Sequence, residues 1–320
     1  MKTIGYFSFF DYPPTLGEIY TFLEKKAEKK EVKETLKSLE RWKKIKKIKD
    51  LNGVIRYSLF VTGKYTVGEY STHRQAGKFK IQNLKFKIEK YNQKYLFSQE
   101  KLQNWRFRLY VRILSFFPQI KLIGLSGSLA MMNALKNDDI DLFIITAKNR
   151  LFTGRFIAIV LAKILMIHRS YTKGYKLQVT SYTNKVCLNL FFDEINLVVP
   201  DCKRNEYVAH EVLQMKPIIN KSSVYERFLK ANYWMLSIFP NAKKRLKVKS
   251  QKFFKDFKFL IFIFHFSLFI FNSLGDKIEK ILKSFQMCFI NKHKTTEIIT
   301  DTQLWFHPED FYNKIKKIRK

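Results

Sequence analysis

Two apolar runs, separated by a Gly-Ser pair and a cluster of acids, constrain this chain more than any other feature. Ile120 to Leu125 has the length and apolar content of a buried strand, and Ile140 to Ile145 is a second such run. Gly127-Ser128 follows the first run, Leu129 to Leu135 has a short helical pattern, and Asn137-Asp138 breaks it. Strand residues two apart point to one face, so Asp139 and Asp141 at the start of the second run converge on one side and Ile140 faces the other. Two carboxylates on a rigid edge make a hard-oxygen site suited to Mg²⁺ or Mn²⁺. Gly127 permits a tight turn and close backbone approach to a ligand. Ser128 stands at a helix N-terminus, where free N–H groups favour phosphate.

Gly127-Ser128, a short helix and then Asp139-Ile140-Asp141-Leu142 resembles the signature of the polymerase-beta-type nucleotidyltransferase superfamily. The resemblance covers about Ile120 to Ile145. It implies a mixed-sheet α/β (α+β) core in which Gly127 and Ser128 hold the triphosphate of an NTP, while Asp139 and Asp141 bind two divalent metals. It also implies a third acid on a later strand. Tyr175 to Tyr182 and Lys185 to Phe192 are the expected later strands. In the second of these, Cys187, Asn189, Phe191 and Asp193 share a face if the alternation is unbroken. Either Asp193 completes the site, or Asn189 occupies the position as a neutral ligand and leaves no general base there.

The N-terminal part has its own pattern. Thr15 and Glu18 fit a capping box. Val32, Leu36 and Leu39 mark one face of a third helix, and Asn52-Gly53 between Ile45–Lys49 and Val54–Phe60 signals a hairpin. Three helices and a hairpin resemble a winged helix, whose third helix would offer Lys33, Lys37, Arg41 and Lys44 to nucleic acid. With 60 Lys+Arg against 27 Asp+Glu, the net charge of +33 suits RNA, DNA or an anionic membrane surface. Lys, Phe, Ile and Asn abound throughout, so biased composition is the competing explanation.

The expected organisation is a winged-helix-like module over 1–70, a helical connector over 71–117, the nucleotidyltransferase core over 118–203 and an all-helical domain over 204–320. In the connector, Trp105, Leu109, Ile113 and Phe116 are expected to face a core. In the C-terminal part, helices are expected over Glu206–Met215 and Tyr225–Phe239. His210-Glu211 lacks a second histidine four residues on, which argues against a metalloprotease-like pair and leaves His210 as a packed or surface residue. Phe259 to Leu274 is apolar but shorter than the roughly 20 residues of a spanning helix, so a buried helix is expected and a membrane anchor is the alternative. Phe306-His307-Pro308-Glu309-Asp310 signals a last helix start. Cys187, Cys202 and Cys288 have no metal-ligand spacing and suit a reducing compartment, so the expected location is cytoplasmic. The resulting expectation is NMP transfer to an acceptor hydroxyl on RNA, protein or a small molecule. The alternative is a catalytically impaired nucleotide- or nucleic-acid-binding regulator.

Overall fold

In the computed structural model, Thr15 and Glu18 form the expected capping box: Glu18 N–H donates to Thr15 Oγ1 and Thr15 N–H to the Glu18 carboxylate. This pair opens α2 (Leu16–Thr21), between α1 (Lys2–Phe9) and α3 (Lys29–Arg41). The structure describes residues 1–60, 84–169, 183–247, 272–292 and 297–306. The hairpin follows as β1 (Ile45–Lys49) and β2 (Ile55–Leu59), paired antiparallel. Its connection is the five residues from Asp50 to Val54 rather than a two-residue turn. The Asp50 carboxylate organises it, accepting from Asn52 N, Val54 N and Arg56 Nε.

The chain continues through α4 (Leu84–Gln103) and α5 (Trp105–Phe116), the latter capped by the Asn104 side chain. Phe107, Tyr110, Val111 and Leu114 are the buried face of α5, and Trp105 is exposed, which corrects the expected Trp105–Leu109–Ile113–Phe116 face. Both stripes are apolar, so periodicity alone did not choose between them.

A six-stranded mixed sheet lies at the centre, in the order β6 (Lys216–Asn220), β3 (Ile120–Leu125), β4 (Ile140–Thr146), β5 (Val186–Asp193), β8 (Gln303–Trp305) and β7 (Ile298–Ile299). β3 and β4 are antiparallel, while β4 and β5 run parallel and are joined through α7 (Leu151–Ile164). The protein is therefore mixed α/β. The expectation of an all-helical domain over 204–320 is corrected, because β6, β7 and β8 extend the core sheet from that part of the chain. These strands have two to five residues, and Pro217 in β6 read as a helix breaker.

Around them lie α8 (Glu206–Gln214), α9 (Val224–Ala231), α10 (Met235–Ile238) and α11 (Asn272–Asn291). One helix was expected where α9 and α10 form. The break falls at Asn232, whose buried side chain accepts from Val199 N and donates to the carbonyls of Leu197 and Phe228. The expected strand over Tyr175–Tyr182, the run from Phe259 to Phe271, and the segment from His307 onward lie outside the described residues. Among the described residues no helix is long and apolar enough to cross a membrane.

The N-terminal helices are built into the core. Tyr6, Phe7, Tyr12 and Phe22 share one hydrophobic cluster with α8 and with Phe143 and Phe192 of the sheet. His210 of α8 is buried between the rings of Tyr6 and Phe22, with centroids 3.9 and 4.2 Å away, and is a packed residue.

Behind the acidic edge, Lys101 of α4 is buried and donates from Nζ to the carbonyls of Lys136 and Asp138, at 2.8 and 2.7 Å. Burial lowers its pKa. Lys101→Met removes a charged donor from two carbonyls and is expected to cost about 2–3 kcal/mol. A drop of that size in the urea unfolding free energy, with an unchanged m-value, checks it.

Candidate active site

β3 ends at Leu125, and Ser126 N–H donates to the Asp141 carbonyl, closing the β3–β4 ladder at its open end. Gly127 then takes φ +60 and starts α6 (Gly127–Ala130), a single turn. The expected helical pattern to Leu135 stops there. Met132 has φ +56, and Asn133 N–H folds back onto the Ser128 carbonyl. A Cβ on Gly127 would lie 2.6 Å from Asp141 Oδ2, so glycine is required by conformation and by contact. Ser128 Oγ hydrogen-bonds the Asp138 carboxylate at 3.2 Å, and Leu135 N–H donates to the same oxygen, which fixes the loop before Asp139.

Asp139 and Asp141 flank buried Ile140 and come together with Cys187, their ligand atoms all within 4.8 Å of one another. Neither Asn189 nor Asp193 joins them. Asp141 pairs with Cys187 across β4–β5, but Phe143 pairs with Leu190, so β5 carries an extra residue between these points. That bulge inverts the alternation beyond it. Leu190 and Phe192 fall on the face of Asp141 and Phe143, while Phe191 packs with Ile144 on the other. Asp193 belongs to that opposite face. Its carboxylate accepts from Ile195 N and Arg150 N and pins the turn into α7. Asn189 lies in the bulged part, and its carbonyl accepts from Phe306 N. The position beside the acidic pair belongs to Cys187.

Three groups at the site are absent from the sequence-based expectations. Arg169 forms an ion pair with Asp139 and reaches Cys187 Sγ at 3.9 Å. Glu211 of α8 accepts from Gly127 N–H at 3.3 Å and from the Tyr207 hydroxyl one helical turn earlier. Lys203 lines the same cavity, which encloses about 160 Å³ between Gly127, Asp141 and Glu211 on its polar side and Phe143, Phe192 and Trp305 on its apolar side.

Burial, and next the charge of Asp139, push the Asp141 carboxyl up to about 7; hydrogen bonding from Cys187 and the charge of Arg169 oppose this. Burial and the two neighbouring aspartates push the Cys187 thiol far above its ordinary value, so it stays protonated as a hydrogen-bond partner of Asp141. Burial raises Glu211, against the hydrogen bonds from Gly127 and Tyr207. Two acids whose pKa values burial raises, beside a cavity and a tight glycine turn, can bind a hard cation and exchange a proton. The sequence held one clue to Glu211: Tyr207 and Glu211 lie four apart on a helix, a spacing that places them on one face.

In comparison with known proteins, no family model matches this chain, and neither does any curated protein or any solved structure.

Proposed function

We propose that this protein is a metal-dependent nucleotidyltransferase. It would move an NMP unit from an NTP to an acceptor hydroxyl, on a nucleotidyltransferase-type core with a winged-helix-type N-terminal module. The reading is carried by one observation: the Gly127 turn packs directly against Asp141, which lines a cavity with Lys203 and has Asp139 beside it.

The donor set fits a hard divalent cation such as Mg²⁺ or Mn²⁺. Asp139 and Asp141 offer carboxylate oxygens, whereas the neutral thiol of Cys187 is a poor ligand for such ions. The ion would be held by Asp139 and Asp141, where it would acidify the acceptor hydroxyl and neutralise charge on the departing pyrophosphate. The turn at Gly127 and Ser128 would hold the triphosphate, with Gly127 N–H passing from Glu211 to a phosphate oxygen, and Lys203 in the cavity lining would add a positive charge. The acceptor oxygen bonds to the α-phosphorus as the bond to the pyrophosphate breaks, and the hydroxyl proton passes to Glu211, whose raised pKa suits that exchange. Arg169 pairs with Asp139 and would yield it to a bound cation. Lys33, Lys37, Arg41 and Lys44 on and after α3 are exposed and favour a nucleic-acid acceptor.

Cys187 in the position of a third acid, together with the Arg169–Asp139 pair, favours a second reading, a nucleotide-binding regulator with little or no turnover.

The test is incubation with α-labelled NTPs, Mn²⁺ or Mg²⁺, and a mixture of RNA and protein, beside an Asp139→Asn/Asp141→Asn control. Label that reaches an acceptor only with the native chain supports transfer and identifies the acceptor class. Metal-dependent NTP binding without transfer moves the assignment to the regulator. Absence of both discards the nucleotide site. Because a proton competes with the cation at Asp141, metal-dependent NTP binding is expected to tighten as the pH rises from about 6 to 8, which titration calorimetry reads directly.

A further inference from the structure

α7 and α11, with Ile299 of β7 and Phe306, line a groove of about 480 Å³. Its walls are mainly apolar, with Phe156 and Val160 from α7 and Phe285 and Phe289 from α11. Both phenylalanines of α11 are 55% exposed, so this face is uncovered by the described residues. α11 turns its polar groups inward instead. Glu279 accepts from the N–H groups of Phe152 and Thr153 at the start of α7, and Gln286 bridges Arg155 Nη1 and the Phe152 carbonyl.

The groove also contains Arg155. Its Nη1 is committed to Gln286, and its Nε is buried with no hydrogen-bond partner. Among the described residues no carboxylate pairs with it, and burial pulls its pKa down to about 10. Lys163 and His168 line the groove too, and the histidine is held below its ordinary pKa by burial and by the charges of Lys163, Arg155 and Lys185. Glu297 is the one acid among the lining residues. The Arg155 guanidinium lies over the Phe306 ring, 4.8 Å from the centroid. Among the described residues this largely buried cation has no paired carboxylate, and an anion attached to hydrocarbon matches both the charge and the apolar walls around it.

We propose that the α7–α11 groove binds a single-chain anionic amphiphile, its carboxylate or phosphate head at Arg155 and its aliphatic tail along Phe156, Val160, Phe285 and Phe289. A guanidinium fork pairs with either head group, and the phenylalanine walls supply the area that a tail needs.

The test is titration calorimetry on the full chain with decanoate and decyl phosphate at monomeric concentrations, compared with 1-decanol and with inorganic phosphate. Saturable one-to-one binding of at least one charged chain is expected, with 1-decanol weaker by at least about tenfold and phosphate alone silent. Arg155→Gln should lose about the same tenfold. Val160→Trp fills the trough with Arg155 intact, so it should weaken binding even if the arginine variant does not fold. Equal affinity for 1-decanol, or unchanged binding in both variants, overturns the site. Association only with anionic vesicles and not with monomeric chains also overturns it, and assigns the exposed face of α11 to a lipid surface.

Discussion

Asp141→Asn is expected to abolish metal-dependent nucleotide binding and transfer while making the protein more stable. In the folded chain this carboxyl is raised to about 7, chiefly by burial and then by Asp139, whereas in the unfolded chain it ionises in the ordinary carboxylate range. Between those values the folded state binds the extra proton, so this group's contribution to stability is complete at low pH. It falls as the pH climbs through the folded pKa, and above that it stays at its minimum. At pH 8 the native protein therefore carries an ionised group in surroundings that disfavour it. Asparagine removes that charge, for an expected gain of about 1–3 kcal/mol and a rise in Tm on the order of 5 °C. The advantage should shrink as the pH is lowered from 8 toward 5, because the native carboxyl is then protonated. Mn²⁺ should raise the Tm of the native chain and leave the variant unmoved. Thermal scans at several pH values, with and without Mn²⁺, read all of this. A variant that is less stable at pH 8 would show that Asp141 is a satisfied structural group and not a cation ligand held in reserve.

Gly127→Ala should also silence the site, with the opposite effect on stability. The new Cβ would lie 2.6 Å from Asp141 Oδ2, at a residue with φ +60. The left-handed conformation costs about 1–2 kcal/mol for an L residue. The clashing atom is a carboxylate oxygen of Asp141, so relief comes only by displacing the group that would hold the cation. Either Asp141 or the turn has to move by a good fraction of an ångström, and a displacement of that size lowers transfer by about 100-fold. A Tm lower by several degrees, together with that loss in the labelling assay, is the expected pair of results. Near-native transfer by the alanine variant would mean that the turn and the carboxylate do not act together. The two substitutions thus separate loss of chemistry from loss of folding.

The acidic edge was legible in the sequence because it is local. An apolar run, a glycine turn and an alternating Asp-Ile-Asp fix their own geometry within about 25 residues, and strand alternation suffices to predict that Asp139 and Asp141 share a face. What stands next to them was not legible. Asn189 and Asp193 were counted from an unbroken two-residue period, and one extra residue in β5 between Cys187 and Leu190 shifts everything beyond it to the other face. Nothing in Val186-Cys-Leu-Asn-Leu-Phe-Phe-Asp193 announces that residue. Arg169 and Glu211 reach the site from 30 or more positions away through α7 and α8, and such convergence is a property of packing. The short strands β6, β7 and β8 were missed for a related reason: runs of two to five residues gain their pairing from a sheet already present, not from their own pattern.

The stacking of His210 between Tyr6 and Phe22 has a consequence for how this chain tolerates shortening. Glu211 is the next residue along α8, so the first two helices brace the helix that lines the cavity beside Asp141. Cutting the protein near residue 60 to obtain a free-standing transferase unit would strip those rings away and leave Phe239 and His210 open to water. The front end of this polypeptide is thus a keystone rather than an attachment. A fragment beginning after it is expected to be recovered in inclusion bodies, and adding back residues 1–60 as a separate chain is expected to rescue it.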